Sequence, residues 1–205
     1  AQNKEDKVPD YPVFFTKPPT AVVGPGATIR LDSKLSQKMD YEVELGVVIG
    51  KPGRDIPAAN AIDHIFGFTI INDITARDVQ RRHGGQFLKG KGLDTSCPLG
   101  PEIVTLDELP NFDQLRISLT VNDDVRQDGN TSSMMFTIPK LIESLSEGMT
   151  LEPGDLLATG TPSGVGYAME PPCFLKDGDK VTCEIEGIGR LQNTVREASS
   201  KASAA

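Results

Sequence analysis

Two glutamates in one segment are the first residues whose types and spacing fit a chemical role. Glu42 and Glu44 lie in YEVELGVVIG, where β-branched residues followed by Gly50 and Pro52 predict a strand. Alternate residues of a strand point to the same face, so the two carboxylates project side by side. Like charges this close are costly in a buried strand unless a cation compensates them. Oxygen ligands without His or Cys fit a hard cation, Mg²⁺ or alternatively Mn²⁺ or Ca²⁺.

Spacing alone does not distinguish a metal site from a sheet edge with both glutamates in water. Asp73 bears on this choice because it ends the apolar run GFTIIN, where an acid indicates a strand that opens into a site. Asp73 or Thr75 could instead cap the helix predicted for TARDVQRRH, and taken alone that role is the commoner one. Beside the two glutamates, Asp73 makes a site of three oxygen ligands competitive.

Two glycine-rich segments supply further candidates. GGQFLKGKG resembles a phosphate-binding loop, but Gly92 stands where the Ser or Thr that holds Mg²⁺ is required, so nucleotide binding is rejected. Lys91 is then either a partner of the acids or of a bound anion, or a surface lysine. In TGTPSGVG, residues 159–166, backbone N–H groups can cradle a carboxylate and Thr161 adds a hydroxyl, although a tight connecting loop explains the motif equally well.

The histidines are weak candidates for proton transfer. His64 lies in an apolar segment and is interpreted as a core or helix-end residue. His83, in RRHGG, is predicted to be exposed and is only a minor candidate for a base. The predicted chemistry therefore depends on carboxylates and lysine.

Composition narrows the class of protein. The 205 residues are 38% hydrophobic and 24% charged, which is ordinary for one globular domain. A net charge of −8 without a basic cluster disfavours nucleic acid as a partner. No apolar run is long enough to cross a membrane. The three cysteines have no spacing typical of disulfide frameworks or zinc sites, which favours an intracellular, reducing compartment.

Short strands and frequent turns predict a β-rich α+β fold with a few short helices. Residues 112–128 are predicted to form a hairpin around Asn122-Asp123-Asp124. The predicted helices are 57–65, 75–83 and 138–148. The predicted organisation is a polar segment 1–11 that continues from a region upstream, a catalytic domain over 12–195 and a disordered tail over 196–205.

The ordered motifs Glu42-Val43-Glu44, Asn72-Asp73 with TARD, Lys91 in GKG, and TGTPSGVG closely resemble the fumarylacetoacetate hydrolase family. The resemblance runs from about Pro12 to about Gln192. It implies a mixed β-sandwich roll, a homodimer, and Mg²⁺ or Mn²⁺ bound by the residues matching Glu42, Glu44 and Asp73. It also implies a set of substrate-facing residues, of which Lys91 and Thr161 are the catalytic candidates: Arg77, Gln80, Lys91, Gly160 and Thr161.

The same resemblance implies a small 2-oxo dicarboxylic acid as substrate. The leading hypothesis is hydrolysis of a C–C bond in an acylpyruvate-like 2,4-dioxo acid through a metal-bound enolate. The alternative is keto–enol tautomerisation or decarboxylation of oxaloacetate, and a metal-binding relative without catalysis stays open. Many family members carry a His and a Glu on an N-terminal lid, and no H-x-x-E pair precedes Tyr11. The expected compartment is the cytoplasm or the mitochondrial matrix.

Overall fold

A computed structural model describes residues 9–84 and 86–198. Its strands in chain order are β1 (Val22–Val23), β2 (Thr28–Leu31), β3 (Met39–Asp40), β4 (Val43–Ile49), β5 (Gly53–Arg54), β6 (Ile65–Asn72), β7 (Thr75–Ala76), β8 (Cys97–Thr105), β9 (Arg116–Val121), β10 (Asp124–Asn130), β11 (Thr150–Leu151), β12 (Leu156–Ala158), β13 (Lys180–Ile185) and β14 (Gly189–Glu197). The α-helices are α1 (Arg77–Arg82), α2 (Leu88–Lys91) and α3 (Ile138–Ser146). The 3₁₀ helices are Pro19–Ala21, Ala58–His64, Thr131–Ser133 and Gly166–Ala168.

Two five-stranded sheets form the framework. One has the order β1-β8-β6-β4-β12 and the other β10-β9-β13-β14-β2, and both mix parallel with antiparallel pairs. Alternate residues of β4, such as Val43, Leu45 and Val47, are buried in one hydrophobic core with Leu119 of β9 and Val181 of β13. The α+β, β-rich class predicted from the sequence is confirmed. No helix among the described residues is long and apolar enough to cross a membrane.

The antiparallel pairing of β4 with β6 is what brings the candidate acids together. Val43 is paired with Asn72, so the start of β4 lies beside the end of β6. The short ladder of β3 with β7 continues the same pairing, with Asp40 opposite Thr75. Residues that flank Val43 and Asn72 are therefore neighbours, although about thirty positions separate them in the chain.

Several element predictions are confirmed and some are wrong in detail. The hairpin forms from β9 and β10, and α3 begins at Ile138 with the Thr137 side chain accepting from the backbone N–H of Lys140. Residues 58–64 form a 3₁₀ helix. The cap prediction is wrong: α1 begins after Ala76 without a side-chain cap. The Asp73 carboxylate pairs with two lysines instead.

The structure describes only part of the two predicted terminal segments. β14 continues to Glu197, so the first two residues of the predicted tail belong to a strand. The last seven residues lie outside the described part, as does most of the polar segment 1–11. The predicted boundaries of the domain otherwise stay a prediction.

Candidate active site

The three predicted metal ligands converge at one end of the β4–β6 pair. Glu42 directly precedes β4, Glu44 is its second residue and Asp73 directly follows β6. The backbone N–H of Asp73 donates to the carbonyl of Glu42 at 2.8 Å. One carboxylate oxygen of each residue lies within 4.8 Å of the others. The side chains are buried, with residue exposures of 7%, 5% and 1%, so the solvated-edge alternative is wrong.

Lys91 is the central cation of the cluster. Its ammonium donates to Glu42 Oε2 at 2.6 Å, to Asp73 Oδ2 at 2.5 Å and to the Thr75 hydroxyl at 2.8 Å. The residue is 4% exposed, so the surface-lysine interpretation is wrong. Burial opposes its charge, but Asp73 and Glu42 outweigh that cost and raise the pKa of Lys91. Lys91 is therefore a fixed, protonated hydrogen-bond donor.

Arg77, the first residue of α1, contacts the other side of Glu42. Its Nη2 donates to Glu42 Oε1 at 2.5 Å and its Nε to Asp40 Oδ2 at 2.9 Å. Burial opposes the guanidinium charge, but Glu42 and Asp40 outweigh this and raise the pKa of Arg77. The ring of Tyr167 covers the guanidinium, with 4.5 Å between Cζ and the ring centroid.

Lys17 is a third cation, which sequence reasoning missed. Its ammonium donates to Asp73 Oδ1 at 2.6 Å and to the carbonyl of Ile74 at 3.3 Å. The neighbouring Phe15 places its ring 4.9 Å from Lys91 Nζ and packs edge-on against Phe87. No local pattern identifies Lys17, because it contacts a carboxylate 56 positions away. The segment that carries it closes the cluster from one side.

Asp40 is a fourth buried carboxylate, and here the sequence held a signal. Asp40, Glu42 and Glu44 alternate in MDYEVE, the spacing that puts the side chains of a strand on one face. Asp40 is 0% exposed and pairs with Arg77. The i, i+2 rule applied one residue pair earlier would have included it.

Glu44 shows how the charge of the cluster is balanced. Its Oε2 accepts the backbone N–H of Gly160 at 2.8 Å, and no ion pair to Glu44 is found among the described residues. Burial, then the charges of Asp73 and Glu42, raise the pKa of Glu44 to about 8. Among the described residues, four carboxylates thus face three cationic side chains, and Glu44 is the acid left without a cation. A divalent cation held by oxygens of Glu42, Glu44 and Asp73 fits this donor set.

The loop 159–163 interacts with the protein differently from the prediction. The Thr161 hydroxyl donates to the carbonyl of Val43 and accepts from Nε2 of Gln127, both at 2.8 Å. Its proton is therefore committed to the backbone of β4. Gly160 does cradle a carboxylate, but in this structure it is that of Glu44. Gln127 is buried on β10, and its side-chain oxygen also accepts the N–H of Val43 at 3.0 Å. It is therefore a positioning residue, which the sequence did not reveal.

Other candidates lie at the edge of the cluster or away from it. Gln80 is half-buried on α1 and packs against Gly90 of α2, with no side-chain hydrogen bond among the described residues. His64 contacts the carbonyl of Lys51, past the far end of β4. His83 follows α1 and is exposed. Neither histidine contacts the carboxylates.

A cavity of about 490 Å³ borders the loop 159–163, and its lining includes Asp128 but none of Glu42, Glu44 and Asp73. Its lining contains Gly160, Thr161, Leu45, Met134 and Phe136. Leu45 points to the face of β4 opposite Glu44. The carboxylate cluster is thus enclosed by the protein in this structure rather than open to this cavity.

Comparisons with known proteins bear on the family of this chain. The sequence profile described as fumarylacetoacetate (FAA) hydrolase C-terminal matches residues 1–196. The oxaloacetate tautomerase YisK of Bacillus subtilis is 50% identical over 191 residues, which are 93% of this chain and 63% of that protein. The chain therefore spans about three-fifths of the length of this curated relative.

Solved structures give the same result. A fumarylacetoacetate hydrolase from Exiguobacterium antarcticum superposes with a TM-score of 0.90 at 46% identity, over 95% of this chain and 69% of that one. The 5-carboxymethyl-2-hydroxymuconate delta-isomerase from Mycobacterium smegmatis has a TM-score of 0.84 at 44% identity, over 94% and 72%. With the buried carboxylate cluster and the two-sheet fold, these matches show that the chain belongs to the fumarylacetoacetate hydrolase family.

Proposed function

We propose that the protein containing this chain is a divalent-metal-dependent enzyme that interconverts the keto and enol forms of oxaloacetate. The observation that carries the proposal is the buried ammonium of Lys91, hydrogen-bonded to two carboxylates of the candidate metal site. The name of the relative that is 50% identical supports the choice of reaction.

Glu42, Glu44 and Asp73 are the residues that would hold the cation. When bound, the cation supplies Lewis-acid stabilisation of negative charge on the 2-oxygen of a 2-oxo acid. Each of the three acids lies within a strand or directly beside one, so the sheet rather than a long loop positions the ligand oxygens. Mg²⁺ is the expected ion, with Mn²⁺ and Ca²⁺ as alternatives.

Lys91 and Arg77 supply the remaining charge for the reaction. Enolisation removes one proton from C3 and adds one to the C2 oxygen, with solvent water as the proton carrier, and negative charge develops on that oxygen between the two transfers. The three N–H bonds of the Lys91 ammonium are already donated to Glu42, Asp73 and Thr75, so it stabilises that charge electrostatically rather than by a new hydrogen bond, and without reorganising. We assign this role to Lys91 and binding of a substrate carboxylate to Arg77. Thr161 holds its loop through its hydroxyl, and its backbone N–H is the donor left for substrate.

Tautomerisation requires fewer groups than the hydrolysis that led the predictions from the sequence. Hydrolysis also needs an activated water, and neither His64 nor His83 contacts the cluster. Enolate stabilisation, which the described residues can provide, is common to all three reactions. C–C bond hydrolysis and decarboxylation stay predictions for the same site, and the YisK relative favours the tautomerase alternative over both.

The test is a spectrophotometric assay of the full-length protein with Mg²⁺. Decay of the oxaloacetate enol, loss of an acylpyruvate and formation of pyruvate from oxaloacetate are followed in parallel. We expect accelerated enol decay that a chelator abolishes and Mg²⁺ restores. Faster acylpyruvate cleavage than enol decay would contradict the proposal in favour of hydrolysis. Turnover of none of the substrates would favour a metal-binding relative without catalysis.

A homodimer and a small 2-oxo dicarboxylic acid as substrate are part of the same proposal. Size-exclusion chromatography with light scattering measures the first, and a monomer would contradict it. The relatives named above are bacterial, so the mitochondrial matrix gains no support from them.

A further inference from the structure

We propose that Asp40 is a positioning residue that orients Arg77 for substrate and ties the covering loop 164–175 to the same carboxylate. The inference rests on the proposed function, because Arg77 needs orienting only if it binds a substrate anion. Asp40 itself is enclosed and acts through its neighbours.

Asp40 has no free hydrogen-bonding capacity in the plane of its carboxylate. Its Oδ1 accepts the backbone N–H groups of Tyr41 at 2.9 Å and Gly166 at 2.7 Å. Its Oδ2 accepts the N–H of Tyr167 at 3.0 Å and Nε of Arg77 at 2.9 Å. Four donors on a side chain that is 0% exposed fix its orientation and exclude it from direct contact with substrate.

Arg77 is held on two edges and one face. Asp40 binds Nε, Glu42 binds Nη2, and the ring of Tyr167 lies against the guanidinium. Nη1 has no hydrogen-bond partner among the described residues and is not among their fully buried unpaired atoms. The contacts thus leave one N–H edge for an anion, and a planar guanidinium held this way is suited to a carboxylate.

The loop approaches Asp40 so closely that position 166 has to be a glycine. A Cβ on Gly166 would overlap Asp40 Oδ1 and the carbonyl of Cys173. The N–H of Cys173 donates to the carbonyl of Gly166 at 2.9 Å, and that of Leu175 to Met39 at 2.8 Å. The loop is therefore folded directly over β3. The Asp40 carboxylate thus positions both Arg77 and the Tyr167 ring that covers the guanidinium.

A double-mutant cycle on anion binding tests this coupling. Oxalate is the probe, since it is a planar dianion with adjacent oxygens like the reacting end of an enolised 2-oxo acid. Its affinity in saturating Mg²⁺ is measured by calorimetry for the wild type, Asp40→Asn, Arg77→Lys and the double variant. We expect each single variant to weaken oxalate about tenfold, roughly one charge-assisted hydrogen bond.

The double variant distinguishes positioning from general support of the fold. If Asp40 acts through Arg77, the double variant should have an oxalate affinity within about twofold of that of Arg77→Lys alone, because the shared contribution is already lost. Multiplicative losses would overturn the inference. Glu184→Gln is the matched control, since it neutralises the carboxylate that pairs with Nε of the exposed Arg190 and should leave oxalate binding unchanged.

Two further variants keep the test decisive if Asp40→Asn does not fold. Tyr167→Phe keeps the ring and should bind oxalate like the wild type, whereas Tyr167→Leu should weaken it about threefold, and only while Arg77 is present. Equal affinities for both Tyr167 variants would overturn the inference. Oxaloacetate turnover by the wild type is measured separately, and its absence would count against the proposed function alone. No oxalate binding by the wild type would overturn both.

Discussion

Two arginine–aspartate pairs in this protein share a distance of 2.9 Å between Nε and a carboxylate oxygen, but their surroundings are opposite. Arg116 and Asp128 form a two-fold hydrogen-bonded pair at 2.9 Å, with side chains 65% and 49% exposed. Arg77 and Asp40 meet at 2.9 Å with side chains 9% and 0% exposed. The surface pair stands almost alone, while the buried pair continues into Glu42, Lys91 and the rest of the cluster.

The difference shows what burial demands of charged groups. When an exposed ion pair forms, each charge replaces its contacts with water by a contact with its partner, so the gain in free energy is small and salt screens it further. A buried charge must have its hydrogen bonds satisfied, because the protein interior does not replace water. The carboxylates of the cluster have partners from several strands and loops for this reason, and that arrangement preorganises a site.

The largest expected effect comes from removing the two strand glutamates. Glu42→Gln with Glu44→Gln should abolish Mg²⁺ binding measured by calorimetry, because two of three anionic ligands become neutral. The matched surface control is Glu184→Gln, which breaks the exposed pair with Arg190 and should bind Mg²⁺ like the wild type. Undiminished binding by the double variant would show that the cluster is held by its own cations and takes no metal.

Replacing the buried lysine should reduce the rate strongly. Lys91→Met removes the ammonium beside the developing oxyanion, and kcat for enol decay should fall by about a hundredfold or more. Lys140→Met removes an exposed lysine paired with Glu143 and should leave kcat unchanged. A kcat for Lys91→Met within about threefold of the wild type would exclude the assigned role.

The two aspartates provide the direct test of the comparison. Asp40→Ala leaves Arg77 buried beside an empty position and four donors without their acceptor, so unfolding free energy should fall by about 3–5 kcal/mol. Asp128→Ala should leave the urea midpoint essentially unchanged. Chemical denaturation of both variants measures the difference, and similar losses would contradict the distinction between buried and exposed pairs.

The smallest expected effect is the pH dependence that Glu44 introduces. Its pKa of about 8 is above the ordinary value, so in the metal-free protein its proton must leave before a cation is bound. Mg²⁺ affinity should rise by up to about tenfold per pH unit below pH 8 and level off above it. Calorimetry in buffers of different ionisation enthalpy should also detect proton release. A Mg²⁺ affinity that does not change between pH 6 and 9 would contradict this prediction.

The same shift has a consequence for stability with a definite sign. In the unfolded chain Glu44 ionises near its ordinary pKa of 4.5, while in the metal-free fold it keeps its proton to about pH 8. The folded state therefore loses stability as pH rises between these values. Saturating Mg²⁺ should remove this loss, because the bound cation favours the ionised form.

The candidate site was predictable where the information was local. Glu42 and Glu44 follow from the two-residue period of a strand, and Asp73 from an acid at the end of an apolar run. The α+β class followed from short strands separated by Gly and Pro. The same local rules misassigned the cap of α1, because they could not weigh a lysine elsewhere in the chain against a backbone N–H nearby.

The sequence by itself determined which residue types alternate, where strands end and which ordered motifs occur together. Only the tertiary structure decided that the glutamates are buried, that Lys17 reaches Asp73, and that the Thr161 hydroxyl is committed to β4. It also decided that one aspartate holds both Arg77 and the loop above it. The physical reason is that these contacts depend on the register of β4 with β6 and of β3 with β7. Register brings distant residues together through the burial of whole strand faces, which no short segment specifies.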